Sequence, residues 1–287
     1  DGKTPLNQWV VDVSAAADYH GISQATITVE DGGLDNDLAT TADNATTSRT
    51  FDVTVNPVND LPTLTAIADL VLDEDAPEQT VDLTGITAGG GETQSLRVTA
   101  TSSNTDLIAD TTVVYTSAEA TGSLKFTPLS DQFGTTTITV TVEDGGLDNN
   151  LATTEDNATT TQTFDVTVNP VNDVPTLGAL SDLTIDEDAS EQTVNLSGIT
   201  AGGGETQPLR VTATSSNTDL IADPTVVYSS DDSTGSLKFT PLADQNGTTT
   251  ITVTVEDGGL DNNLATTEDN ATTTQTFDVT VNSVNDN

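Results

Sequence analysis

The chain has 287 residues, with 46 acidic side chains against six basic ones, a net charge of −40, 3% aromatic residues and no cysteine. Self-repulsion on that scale disfavours a compact state unless cations screen it, and it turns away nucleic acid and anionic membrane surfaces. Without cysteine there are no disulfides, zinc thiolate sites or thiol catalysis, which fits a secreted protein held by packing and ions, and no apolar run approaches the roughly 20 residues of a membrane-spanning helix.

Two strands open the chain, GISQATITVED at 21–31 and SRTFDVTVN at 48–56, with the long loop GGLDNDLATTADNATT at 32–47 between them. Strand patterns follow at 68–75, 80–86, 95–103, 112–117, 122–129, 134–144 and 161–169. The clearest is GTTTITVTVED at 134–144, where Ile138, Val140 and Val142 share one face and Thr137, Thr139 and Thr141 the other, the alternation of a half-buried strand. Runs of Gly, Asn and Asp at 88–93, 102–106 and 143–150 punctuate the series, and no helical period of useful length appears. Seven strands of this kind predict an antiparallel Greek-key β-sandwich.

The pattern then repeats. FDVTVNPVND at 51–60 returns at 164–173 and, as FDVTVNSVND, at 277–286, a period of 113 residues, and 58–170 differs from 171–283 at only 18 of 113 positions. A period this long means whole domains in series. The predicted organisation is the C-terminal half of a repeat at 1–57, a full repeat at 58–170 and another at 171–287. Residue 1 stands opposite Val114, in mid-repeat, so the natural chain is expected to continue on both sides. The strands at 21–31 and 48–56 lack the partners that a full copy supplies, and unpaired edges seek strands. Residues 1–287 are therefore expected to oligomerise or fray at the N-terminus, and 58–287 to be monomeric.

In such a sandwich the loop after 134–144 and the linker entering the repeat reach the same end, which brings Asp144 towards Asn59 and Asp60. Two like charges about 4 Å apart repel by roughly 4 kcal/mol at an effective dielectric near 20, so a cluster of three needs a cation or a proton. Carboxylates, Asn amides and backbone carbonyls, with no sulfur, select a hard ion, and wet flexible loops suit calcium. The alternative is turn-forming Asp and Asn on a solvated surface. A second candidate is the hairpin loop 145–160, repeated at 258–273, where Asp148, Asn150 and Asp156 could wrap a cation or simply cap the loop; the EF-hand pattern is not met. His20, the only histidine, has no nucleophile motif beside it. Trp9 alone suggests no aromatic groove for glycoside hydrolysis. Lys125 and Lys238 point outward in SLKFT, against an isopeptide cross-link. The chain is expected not to be an enzyme.

The linker VNPVNDLP at 55–62, the acidic DED at 73–75 and EDGG at 143–146 together resemble the cadherin-like tandem repeats of very large bacterial surface proteins, over essentially the whole chain. The resemblance implies tandem seven-stranded, cadherin- or Ig-like all-β sandwiches with calcium between successive domains. It carries ligand roles to Asn56, Asn59 and Asp60 in the linker, to Glu74 and Glu187 as the early glutamate, and to Asp131, with Asp18 and Asp244 at the same register. The acid pair of the following domain is replaced by AGGGE, leaving Glu92 and Glu205. One full junction thus gathers Glu74, Asp131, Asn169, Asn172 and Asp173 from one side and Glu205 and Asp257 from the other. One or two ions per junction are expected. The implied function is a bacterial cell-surface or extracellular stalk that spaces or joins cells or matrix, its partners being adjacent repeats and homotypic chains. Two alternatives are a calcium-dependent module for surface polysaccharide and a self-assembling fibre subunit.

Overall fold

The computed structural model describes residues 10–109, 111–230 and 232–285. Trp9, the start of the 1–57 unit and residues 286–287 lie outside them. The described chain is all-β. A hairpin of β1 (Gly21–Glu30) and β2 (Thr46–Val55) is followed by β3 (Leu70–Asp73), β4 (Gln79–Thr84), β5 (Leu96–Ser102), β6 (Thr111–Val114), β7 (Thr121–Phe126), β8 (Gly134–Asp144) and β9 (Thr159–Asn169). The series returns as β10 (Leu183–Asp186), β11 (Gln192–Ser197), β12 (Leu209–Ser215), β13 (Thr225–Val227), β14 (Thr234–Phe239), β15 (Gly247–Asp257) and β16 (Thr272–Asn282).

Each seven-strand set forms a four-stranded sheet, β3-β9-β8-β5 or β10-β16-β15-β12, facing a three-stranded one, β4-β7-β6 or β11-β14-β13. The alternation in sequence explains the layers. Ile138, Val140 and Val142 of β8, with Phe164, Val166 and Val168 of β9, turn inward to meet Leu83, Leu124 and Phe126 from the opposite sheet. Full burial of side chains of this size is worth roughly 1.5–3 kcal/mol apiece. The threonines between them are β-branched, suit the pleat and line the outer face, where Thr137 Oγ1 donates to Asp165 at 2.7 Å.

The antiparallel expectation needs one correction. β3 runs parallel to β9, Leu70 opposite Val166, and β10 parallel to β16, Leu183 opposite Val279. When the first and last strands of a sandwich run side by side in the same direction, the chain enters at one end and leaves at the other, as a series of domains demands. Among the described residues, the N-terminal unit contributes the β1–β2 hairpin, paired from Gly21↔Val55 to Glu30↔Thr46.

Candidate metal centre

Between the two sandwiches the chain leaves β9 at Asn169 and passes through Pro170, Val171, Asn172 and Asp173 before the next fold begins. Buried groups pin this linker. Glu74, 4% exposed, accepts the Val171 N–H at 2.7 Å through Oε1, and its own N–H donates to the Asn169 carbonyl at 2.9 Å. Asn169 Nδ2 donates to Asp73 at 3.2 Å. On the far side Asn172 Nδ2 donates to Asp257 at 3.2 Å, while Gln207 Nε2 donates to Asn172 Oδ1 at 2.7 Å. Asp257 is fully buried, and its Oδ1 also accepts the N–H groups of Gly259 and Ala271 at 3.0 and 2.9 Å. The Asp173 N–H, in turn, donates to Glu205 at 3.1 Å.

These anchors bring acids together. Oxygens of Asp75, Asp131 and Asp173 lie within 4.8 Å of one another, the one such group of three or more His, Cys, Asp or Glu side chains among the described residues. Asp75 follows the end of β3 and Asp131 sits between β7 and β8, both with left-handed backbone (φ 60° and 57°), a conformation that Asp tolerates better than most residues. Burial pushes the Glu74 carboxyl above its ordinary range, with the charges of Asp173, Asp75 and Asp131 adding to it against the opposing Val171 N–H. Asp173 is raised by burial and by Asp131 and Asp75. Glu205 is raised by burial, with Asp173 and Glu74 adding. The centre therefore resists carrying its full negative charge unaided.

The glycine loop explains how the linker fits. A Cβ on Gly203 (φ +41°) would stand 1.9 Å from Asp173 Oδ2, and one on Gly202 would stand 2.4 Å from the Val174 carbonyl. AGGGE has no acid pair because its backbone lies against the linker carboxylate. Asp173 Oδ2 is buried and accepts no hydrogen bond. An orphaned carboxylate oxygen beside two further carboxylates, in an all-oxygen setting, fits a hard cation such as calcium. A cleft of about 360 Å³ lined by Asp131, Phe133, Pro170, Gly203, Gly204 and Glu205 opens beside it.

Of the acids foreseen at this junction, Glu74, Asp131, Asp173 and Glu205 converge, whereas Asp257 and Asn172 bond to each other and hold the linker. Asp75 was missed. The run DED at 73–75 was its only signal, and strand alternation assigns no direction to a side chain past the strand's end. At the first junction Asn59 Nδ2 donates to buried Asp144 at 3.1 Å and Asp60 N–H to Glu92 at 3.2 Å. Asp18, Asn56, Asp60 and Glu92 line a cleft of about 640 Å³ there. Near the C-terminus Glu187 accepts the Val284 N–H at 2.7 Å and Asp244 repeats the left-handed backbone (φ 58°); the counterpart of Asp173, Asp286, lies outside the described residues.

The hairpin residues serve the loop itself. Asp148 accepts from Asn150 N–H at 2.9 Å and Thr153 Oγ1 at 2.7 Å, Asn150 Oδ1 accepts from Ala152 N–H at 3.0 Å, and Asp156 accepts from Leu147 N–H at 2.8 Å. The same bonds recur on Asp35 and Asp261.

No protein-family model and no curated protein matches the chain. Among solved structures it is similar to cadherin domains 1–5 of protocadherin gamma B2, at 13% identity over 92% of this chain and 46% of that one, TM-score 0.44. It is also similar to mouse cadherin-23 domains EC22–24, at 14% identity over 91% and 74%, TM-score 0.41. The titin domains z1z2, solved in complex with telethonin, overlap 80% of this chain and all of theirs at 13% identity and TM-score 0.32. Overlaps this partial carry no functional conclusion.

Proposed function

We propose that this chain belongs to an extracellular structural array, in which calcium held by Asp75, Asp131 and Asp173, with Glu74 and Glu205 beside them, fixes the junction between successive β-sandwiches. The observation that carries it is the convergence of three carboxylates from two loops and the linker. Like charges so close repel, and a divalent ion converts that repulsion into ligand bonds on both sides of the linker. The ion's contribution is charge neutralisation and cross-bridging. Asn172, Asp257 and Gln207 do the orienting. The array spaces or joins surfaces and catalyses nothing. A calcium-dependent polysaccharide site would rest on the hairpin, whose Asp148 and Asp156 are engaged by loop groups.

The test is small-angle scattering of the chain with millimolar calcium and with EDTA. Extracellular calcium modules bind with Kd of about 10⁻⁴ to 10⁻³ M, so the maximum dimension should sharpen and the flexibility fall between these conditions. Identical profiles, with no calcium bound by titration calorimetry, would overturn the proposal.

A further inference from the structure

The first and last strands of each complete sandwich are tied together beyond their own ladder. β3 pairs with β9 from Leu70↔Val166 to Asp73↔Asn169, and β10 with β16 from Leu183↔Val279 to Asp186↔Asn282. A carboxylate closes each end of these short pairs. At the upstream end Asp69 Oδ1 accepts the Asp165 N–H at 2.8 Å, and Asp182 Oδ1 accepts the Asp278 N–H at 2.8 Å. At the downstream end Glu74 Oε1 reaches past β9 to the Val171 N–H at 2.7 Å, while the Glu74 N–H donates to the Asn169 carbonyl at 2.9 Å. Glu187 repeats both bonds, with Val284 at 2.7 Å and Asn282 at 3.0 Å. Between the flanking acids the strand itself varies, since Val71 and Leu72 become Thr184 and Ile185.

Tension along the chain enters a sandwich ahead of its first strand and leaves after its last. In a parallel pair these two pulls oppose each other along the strand axis, so the evenly spaced ladder bonds are strained together. An antiparallel pair would bring both ends to one side and open bond by bond. We propose that each complete repeat bears load along the chain, and that its clamp is the parallel strand pair closed by Asp69 and Glu74 in one repeat and by Asp182 and Glu187 in the other. Resistance to force is set by the rate of unfolding and not by equilibrium stability. A contact slows that rate when it is already lost in the transition state, and contacts still made there do not. The carboxylate bonds lie on the line of shear and are lost first. Core contacts away from that line are still packed when the strands part. This goes beyond the calcium reading and is independent of it, because Asp69 precedes β3 whereas Asp75 of the metal centre follows it.

The experiment holds single molecules of the 287-residue chain at constant force between their two ends, in EDTA, and reads the lifetime of each complete repeat from its extension step. Asp69→Ala with Asp182→Ala should shorten both lifetimes about two- to tenfold, the worth of one net hydrogen bond at the barrier. Asp69→Asn with Asp182→Asn keeps an acceptor oxygen at each place and should restore most of the loss. Ile108→Val with Ile221→Val, at fully buried positions outside the strand pair, costs comparable stability in urea but should leave the lifetime under force close to that of the parent. The proposal is overturned if the alanine pair leaves the lifetime unchanged, or if the isoleucine variants shorten it as much. Repeating the series in millimolar calcium separates the clamp from the junction. A lifetime that responds to calcium and not to Asp69 or Asp182 would assign the load to the ion and overturn the clamp. One that responds to the two aspartates alone would uphold the clamp even if no calcium bound.

Discussion

Replacing Asp173 by Asn should stabilise the chain in EDTA and blunt its response to calcium. Asp173 faces two carboxylates within 4.8 Å. At that separation a pair of unit charges repels by about 1 kcal/mol in water and about 3.5 kcal/mol at an effective dielectric near 20. Asp75 and Asp131 are exposed, so the lower figure governs, and removing one charge relieves two such pairs, about 2 kcal/mol at low ionic strength. The substitution sacrifices no hydrogen bond at Oδ2, which accepts none. The variant should therefore melt about 5 °C above the parent in EDTA and 20 mM salt. Calcium reverses the order, because the parent gains about 2.7 kcal/mol at a hundredfold excess over Kd, whereas the variant has lost a charged ligand. Asp82→Asn is the matched control: Asp82 is exposed, and the second repeat carries Asn195 at the same position. Thermal melting by circular dichroism across a calcium series reads all three proteins. If the parent leads in EDTA, or parent and variant respond equally to calcium, the three carboxylates are not acting as one charged cluster.

The glycine loop gives a paired prediction: Gly203→Ala drives a Cβ to 1.9 Å from Asp173 Oδ2 and should cost about 3 kcal/mol and weaken calcium binding, while Gly204→Ala, with nothing within 4 Å, should cost only the backbone strain of about 1 kcal/mol. Denaturant melts and calorimetry of both variants check this. Asp257→Ala removes a fully buried acceptor of three N–H donors and should destabilise the second sandwich by about 3 kcal/mol with or without calcium, read by urea unfolding in both conditions. The pH dependence has a defined sign. Glu74, Asp173 and Glu205 are raised above ordinary values of 4.5, 3.8 and 4.5, so in EDTA their contribution favours the fold at the acid end and is lost as pH rises through the raised values. Between pH 4 and 7 the parent should thus lose more stability than the Asp75→Asn, Asp173→Asn double variant, and equal slopes in urea titrations would contradict the assignment.

The layers of this fold were legible because alternation is a local property. Ile138, Val140 and Val142 declare a buried face whatever they pair with, and all seven strands of a repeat fell where the pattern put them. The direction of β3 against β9 was not legible, since period two is the same read forwards or backwards. The candidate centre divides the same way. Acids in the linker and early loops could be listed from the sequence, but which of them share one space depended on turns whose φ signs no spacing encodes. Asp75 enters the cluster through a left-handed turn. AGGGE reads as a loop stripped of ligands, yet its missing side chains are what lets the Asp173 carboxylate lie against the backbone.

Two kinds of carboxylate therefore divide the work at the junction, and their partners tell them apart. Asp144 and Asp257 are fully buried and each collects backbone and Asn donors. Saturated in that way, their Oδ1 atoms have little left to offer an ion. What they fix is Asn59 or Asn172, one residue before the linker aspartate, and with it the point from which Asp60 or Asp173 projects. Asp75, Asp131 and Asp173 have the opposite character, with converging charge and, at the buried Asp173 Oδ2, no donor, so their affinity for a cation depends on how well the linker is held before the ion arrives. Anchoring lowers the ordering cost of binding. The consequence is directional: loosening Asn172 by Asn172→Ala, with every carboxylate of the cluster intact, should weaken calcium binding several-fold at unchanged stoichiometry. Asp131→Asn, with the anchor intact, should instead remove a ligand and lower the enthalpy of binding. Calorimetry distinguishes the two. Equal affinity for parent and Asn172→Ala would mean that the linker is positioned by the cation itself and that the buried Asn–Asp pairs serve only the sandwich they belong to.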